Sequence, residues 1–185
     1  MSRLASALQL AAEGFYVFPL KPGQKLPAFK GWQQSATRDP KQIEQWFADS
    51  DFNIGIFTGR FGDDEALLVV DVDVKGAKNG NAELLRLECE GHDLPQTRVH
   101  HSPSGGRHLV YRLPQAVRSG VDVLAVGLDV RSGGGLVVGP GSSTKDGDYH
   151  SAGGEIALAP EWVVQRCGDV RPKREHDVKP AEVDR

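Results

Sequence analysis

Apolar and polar positions along this chain follow two rhythms, one helical and one alternating. Residues 3–13 place Leu4, Leu8, Ala11 and Ala12 near one helical face, and Gly14 suits a C′ stop. Phe15–Leu20 reads as a short strand closed by the turn Lys21-Pro22-Gly23-Gln24-Lys25, with loop over 26–36. Asp39-Pro40 predicts a second helix: Asp39 as N-cap, Pro40 at N1, Gln42 in the capping-box position, and an apolar stripe of Ile43, Trp46 and Phe47. Asn53–Phe57 is a strand followed by a polar turn over 60–65. Ala66–Val74 is the strongest strand in the chain. A helix over Asn81–Glu90 follows. Thr97–Ser102 and Arg107–Leu113 are then two strands joined by Pro103-Ser104-Gly105-Gly106. Short strands at 126–130 and 135–139 and a helix over Pro160–Arg166 complete the pattern. There is no internal repeat. The mixture predicts an α+β or α/β domain over 1–167. Residues 168–185 are charged and poor in large apolar side chains, so they read as a disordered tail or a linker to further chain.

Composition adds mostly exclusions. A chain of 185 residues is long enough for one domain with a proper core. The net charge of −3 does not advertise nucleic-acid binding. That is weak evidence, because a carboxylate metal site adds negative charge that bound cations offset. The two cysteines, Cys89 and Cys167, form no CxxC or Cys/His cluster, so no structural zinc site is expected and a reducing compartment fits. Gln9 and Glu13 interrupt the N-terminal apolar residues, so no signal peptide is expected. No apolar run approaches the roughly 20 residues of a membrane span. The expectation is a soluble cytoplasmic protein with no membrane partner.

The candidate chemistry begins at Leu67-Leu68-Val69-Val70-Asp71-Val72-Asp73. In a strand, residues i and i+2 share a face, so Asp71 and Asp73 project together. Two carboxylates side by side repel each other, and a divalent cation such as Mg²⁺ or Mn²⁺ relieves this while leaving positions for phosphates. The plainer alternative is a solvated strand end. Next, Ser104-Gly105-Gly106-Arg107-His108 offers backbone that can approach an anion, a hydroxyl and two nitrogen side chains. Its alternative is a hairpin with a structural histidine. Last, Asp129 lies in an apolar strand before Gly133-Gly134-Gly135. Arg131 falls two residues later on the same face, free either to meet a phosphate or simply to pair with Asp129. Two or three carboxylates beside an anion-binding loop form the layout of two-metal phosphoryl or nucleotidyl transfer.

In this order the motifs resemble the primase–polymerase (prim-pol) branch of the archaeo-eukaryotic primase superfamily, found in phage and plasmid replication proteins. Its DhD, sxH and hydrophobic-Asp motifs correspond to Asp71-Val72-Asp73, Gly106-Arg107-His108 and Leu128-Asp129. Gly14–Leu20 with Lys25-Leu26-Pro27 and Gly31-Trp32, Asn53–Ile56 with Thr58-Gly59, and Asp129–Val138 are also similar, over roughly residues 5–165. The resemblance implies an α+β fold: an RRM-like mixed or antiparallel sheet flanked by helices, with an N-terminal αβ unit. It implies Asp71, Asp73 and Asp129 as ligands of two Mg²⁺ or Mn²⁺ ions. It implies His108 as a catalytic residue at the incoming nucleotide's phosphates, with Ser104, Gly106, Arg107 and Arg131 as further nucleotide contacts and Lys25 as a nucleic-acid or nucleotide contact. The implied partners are single-stranded DNA template and primer, nucleoside triphosphates, and a helicase domain or protein. The implied setting is a bacterial cell or a phage-infected host. The chain departs from the family pattern at Gly141, where Pro is frequent, and at Leu136, where an aromatic is frequent.

Two further function classes compete with this one. One is a non-catalytic nucleic-acid or nucleotide-binding module that retains the fold. The other is a two-metal nuclease, which needs the carboxylates but not the Gly-Arg-His contact. Outside the motifs, His100 and His101 point to opposite faces by alternation and are assigned structural or exposed roles. His150 is assigned to a substrate-side loop. Trp46 and Trp162 are core residues, and Trp32 stands apart because it sits in a loop near Lys25 and Lys30. Tyr111 packs in the sheet and Cys89 is a half-buried helix residue.

Overall fold

A computed structural model describes residues 2–168. In chain order its elements are α1 (Arg3–Ala12), β1 (Phe15–Leu20), α2 (Trp32–Ser35), α3 (Pro40–Phe47), β2 (Asn53–Phe61), β3 (Ala66–Val72), α4 (Gly80–Cys89), β4 (Arg98–His101), β5 (Arg107–Leu113), β6 (Gly120–Ala125), β7 (Leu128–Arg131), β8 (Leu136–Val138), β9 (Ser143–Thr144), β10 (Gly147–Asp148), β11 (His150–Ser151) and α5 (Glu161–Cys167). A six-stranded sheet runs β11-β4-β5-β3-β7-β6, a second runs β1-β2-β8, and β9 and β10 form a small ribbon. Every pairing between these strands is antiparallel, so the fold is α+β.

β3 is central because it is apolar on both faces. Leu68, Val70 and Val72 pack with Leu87 of α4 and with Val163 and Cys167 of α5. The alternate residues Leu67 and Val69 meet Ala7, Leu10, Phe15, Ile43, Phe47 and Ile54 of the N-terminal unit. Strict alternation divides one strand between two cores, and each fully buried Leu or Val contributes about 2 kcal/mol. Asp71 continues the Leu67/Val69 face, which places it where the two sheets approach each other.

The two sheets are joined by the glycine turn after β7. The chain leaves the large sheet at Arg131, turns through Gly134 at φ +70°, and enters the small sheet as β8. The Thr58 amide donates to the Gly135 carbonyl at 3.1 Å and its hydroxyl donates to the Ser132 carbonyl at 2.6 Å. A Cβ on Gly135 would stand 2.9 Å from the Thr58 hydroxyl, so this crossing needs glycine. The N-terminal αβ unit is thereby completed by a strand from the second half of the chain. Pro19 is tolerated in β1 because that strand is an edge of its sheet.

Several elements differ from the sequence pattern. The predicted loop over 26–36 contains α2. The capping box at α3 does not close: Asp39 accepts from the Lys41 amide, but Gln42 bonds Gln45 and the Asp39 amide goes to Thr37. β2 continues to Phe61 because its extension pairs with Phe15 of β1. β3 stops at Val72, since the chain turns toward α4, whose N-cap is Asn79. The two-residue strands β9, β10 and β11 carry no apolar pattern, while β6 has Val121, Val123 and Leu124 but only Leu124 is buried, and its pairing with β7 is broken by an irregular register. Cys89 is exposed rather than half-buried. The predicted tail lies outside the described residues from 169 onward.

Candidate active site

The register of three adjacent strands sets the site. Asp71 on β3 is the direct cross-strand partner of His108 on β5 and of Asp129 on β7. Directly opposed residues in a sheet share a face. Three residues that are 21 to 58 positions apart in sequence therefore form one lateral row. Asp71 and His108 line a cleft of about 390 Å³ together with Lys25, Trp32, Arg131, Tyr149 and the Gly134–Val138 segment, and Asp129 reaches it through its partner Arg131.

The members of the row are held differently. His108 Nε2 stands 3.6 Å from Asp71 Oδ1, and the imidazole is buried. Burial pushes the His108 pKa down, the Asp71 charge opposes that, and Lys25 and Arg131 add to it. Asp71 is half-buried and accepts no hydrogen bond among the described residues. Asp129 is held at both oxygens: Oδ1 accepts from the Asp122 amide at 2.9 Å and Oδ2 from Arg131 Nη2 at 2.7 Å. Asp122 is itself pinned in the left-handed region, φ +52°, where its carboxylate accepts from the Gly127 amide at 2.8 Å and from Lys78 at 3.1 Å.

Asp73 lies one residue beyond β3. Its amide donates to the Gly127 carbonyl at 2.8 Å, which carries the ladder past the strand end, and its Oδ1 accepts from the Lys75 amide at 3.0 Å. The Lys78 pKa is raised first by its hydrogen bond to Asp122, and also by the charges of Asp122, Asp129 and Asp73. Lys25 sits with its Nζ 5.8 Å from the Tyr149 ring centroid. Partial desolvation lowers the Lys25 pKa, but contact with Tyr149 and the charges of Asp71 and Asp146 raise it further, so it remains a cation beside Asp71.

The other candidates are distributed around this group. Gly106 is buried where β5 begins, and a Cβ there would meet the Val72 carbonyl at 2.8 Å. The glycine lets the hairpin sit against the end of β3, next to the carboxylates. Ser104 is exposed at the hairpin tip, its hydroxyl 3.2 Å from that of Ser102. Arg107 is not brought into the cleft. Adjacent strand residues point to opposite faces, and Arg107 Nη2 donates to Asn81 Oδ1 of α4 at 2.6 Å, on the far side of the sheet from His108. Arg131 takes both of the roles open to it, pairing with Asp129 while lining the cleft.

Tyr149 was absent from the sequence candidates, yet it is buried against the cleft with its ring 6.2 Å from that of His108. Its position after β10 in a glycine-rich stretch carries no sequence signal. Trp32 does line the cleft, stacked at 4.5 Å on Phe18 and edge-on to Phe57. Trp46 and Trp162 pack against the cores, and Tyr111 is buried with its hydroxyl donating to the Pro95 carbonyl. His101 stacks on His150 at 4.9 Å at the sheet edge, while His100 is fully buried.

The donor set suits a hard divalent cation in part. Asp71 has both oxygens free of protein donors and Asp73 has one, as oxygen ligands for Mg²⁺ or Mn²⁺ require. Asp129 has neither while Arg131 holds it. Among the described residues no three His, Cys, Asp or Glu side chains stand close enough together to enclose a metal.

A family model described as bifunctional DNA primase/polymerase, N-terminal (Prim-Pol), matches residues 7–162. No curated protein matches the chain. Among the described residues no helix is long and apolar enough to cross a membrane.

Proposed function

The chain belongs to the Prim-Pol family of bifunctional DNA primases and polymerases, which makes DNA and nucleotides its substrates and nucleotidyl transfer its reaction type, and on that premise we propose that it performs metal-dependent, template-directed nucleotide addition in replication of a phage or plasmid type. The observation that carries this reading is the lateral row His108–Asp71–Asp129, of which His108 and Asp71 line a cleft that also holds Lys25 and Arg131. Carboxylates with the cations Lys25 and Arg131 beside them suit a nucleoside triphosphate bound through metal.

Asp71 and Asp73 would hold the divalent cations, and Asp129 would join them on releasing Arg131. Such ions supply Lewis-acid stabilisation of the transferring phosphate and activation of the attacking hydroxyl. The chain's own residues do the positioning. Lys25 and Arg131 give the phosphates two cationic contacts. His108, kept neutral by burial, offers one N–H toward the cleft. Trp32 and Tyr149 wall the cleft with flat surfaces that suit a base or sugar. Gly106 and Ser104 hold the hairpin beside the strand end.

The test is primer extension and de novo priming on single-stranded DNA with each nucleotide type and with Mg²⁺ or Mn²⁺. Combining Asp71→Ala with Asp73→Ala should abolish incorporation while the protein melts normally. A double variant that still extends primers removes the assignment. Tight DNA binding by the wild type without metal dependence or incorporation would favour the non-catalytic binding module instead.

A further inference from the structure

The polar row does not end at His108. On its other flank, β4 pairs with β5 so that His100 is the direct cross-strand partner of His108. The order β4-β5-β3 thus places His100, His108 and Asp71 side by side on one face. His100 is fully buried, packed against Phe15 with ring centroids 5.9 Å apart.

Hydrogen bonding in this row is incomplete in a specific way. Both nitrogens of His100 and Nδ1 of His108 are buried without a partner; among the described residues Arg3 Nε is the other such side-chain atom. A buried polar group left unpaired is costly, because it has given up water and gained no partner. Three of them on two neighbouring rings require a reason. The rings sit on strand positions about 5 Å apart, and the imidazole χ2 torsion is soft. Rotation about χ2 is the motion that would turn a nitrogen of one ring toward the other.

The direction of that bond follows from Asp71. His108 Nε2 faces Asp71 Oδ1 at 3.6 Å. A bare nitrogen lone pair there would oppose a carboxylate and, under the proposed function, nucleotide phosphates. An N–H there attracts both. The proton of neutral His108 thus belongs on Nε2, which leaves Nδ1 as an acceptor in need of a donor. His100 is the unpartnered donor beside it.

We propose that His100 is a positioning residue for His108: its imidazole N–H donates to His108 Nδ1, orients that ring, and keeps the His108 proton on Nε2, pointing at Asp71 and the cleft. Burial holds the His100 pKa down at about 3, so His100 stays neutral and keeps one donor and one acceptor. The catalytic value of the arrangement rests on the proposed role of His108 at the nucleotide; the tautomer itself does not.

The experiment reads the two separately. Long-range ¹H–¹⁵N spectra of the intact protein report the His108 tautomer with no substrate present. The wild type should show Nε2–H with Nδ1 as an accepting lone pair. His100→Leu, close in size and without a donor, should give a mixed His108 tautomer and lower kcat roughly tenfold with a smaller change in KM. Either His100→Asn or His100→Gln should restore both, since one of them returns an N–H to the required side. A folded His100→Leu protein with the wild-type tautomer and kcat overturns the proposal. So does loss in the Leu variant that neither amide rescues. If His100→Leu does not fold, the wild-type spectrum decides: a proton on His108 Nδ1 overturns the proposal. A wild type with the predicted tautomer but no nucleotide incorporation sinks the polymerase reading and leaves the positioning role standing.

Discussion

Asp71 and Asp129 face each other directly across β3 and β7, yet only Asp129 is tied down. Both Asp129 oxygens accept from protein donors, Arg131 and the Asp122 amide, while Asp71 accepts from none among the described residues. A carboxylate held by donors contributes to stability. One held without them keeps its lone pairs for a ligand. The two partners are therefore expected to respond differently to the same substitution.

Asp71→Asn should leave the fold intact and cost catalysis heavily. Asp71 accepts no hydrogen bond among the described residues, and losing its charge removes both repulsion from neighbouring carboxylates and attraction to Lys25, so the melting temperature should stay close to that of the wild type. Nucleotide incorporation should fall by more than about 100-fold, the upper end of what residues behind a metal cost. Parallel melting curves and extension rates check this, and a stability loss without a rate loss contradicts it.

Asp129→Asn should do the reverse in stability. The amide oxygen still accepts from the Asp122 N–H, but Arg131 loses a charge-assisted bond at a largely buried site. A loss of about 1–2 kcal/mol in denaturant unfolding is expected. Combined with Arg131→Gln, the two effects should fall short of additivity, as residues in direct contact do.

Acid should destabilise the protein through His100. Its folded pKa of about 3 lies far below the ordinary value of 6.5, so the unfolded chain binds a proton that the folded chain refuses. Stability is then full above about pH 6.5 and declines as pH falls toward 3, by at most about 1.4 kcal/mol per pH unit. Unfolding measured between pH 7 and 5 should show this slope, and His100→Leu should reduce it, leaving the part that buried His108 contributes with the same sign.

Gly106→Ala should loosen the β4–β5 hairpin. The new methyl would stand 2.8 Å from the Val72 carbonyl and 2.9 Å from the Ser102 hydroxyl, and the carbonyl belongs to the central strand. A cost of about 1–3 kcal/mol follows from the forced shift. Incorporation should also drop, because Asp73 follows Val72 directly. A variant with unchanged melting shows that the hairpin can move freely.

Lys25→Met should weaken nucleotide binding more than turnover. It removes a cation beside Asp71 and Tyr149 while keeping the apolar stem. KM for the nucleotide should rise about tenfold with kcat changing less. A fall in kcat at constant KM places Lys25 in the chemical step instead.

Much of the fold was legible in the chain because local rules governed it. Phe15–Leu20 is bounded by glycine and a proline turn, and its strand matches residue for residue. Asp39-Pro40 starts α3 as an N-cap followed by proline must. The Asp71/Asp73 spacing, the Gly-Gly hairpin and Asp129 before its glycines can be read from the chain as candidates, since side-chain period and turn chemistry are short-range properties. What those residues do to one another was not local. Which strands neighbour β3, and in what register, decides that His108 and Asp129 flank Asp71, that Arg107 turns away to Asn81, and that His100 stands behind His108. Alternation correctly separated His100 from His101, but it could not show that His100 shares a face with His108, because that pairing is fixed by the hairpin register. The same holds for Tyr149 and Trp32, brought to the cleft only when β8 crosses to the smaller sheet. The sequence by itself determined the elements and the chemical types on their faces. The tertiary structure decided which carboxylate is satisfied and which is free, because hydrogen bonds and burial belong to neighbours in space.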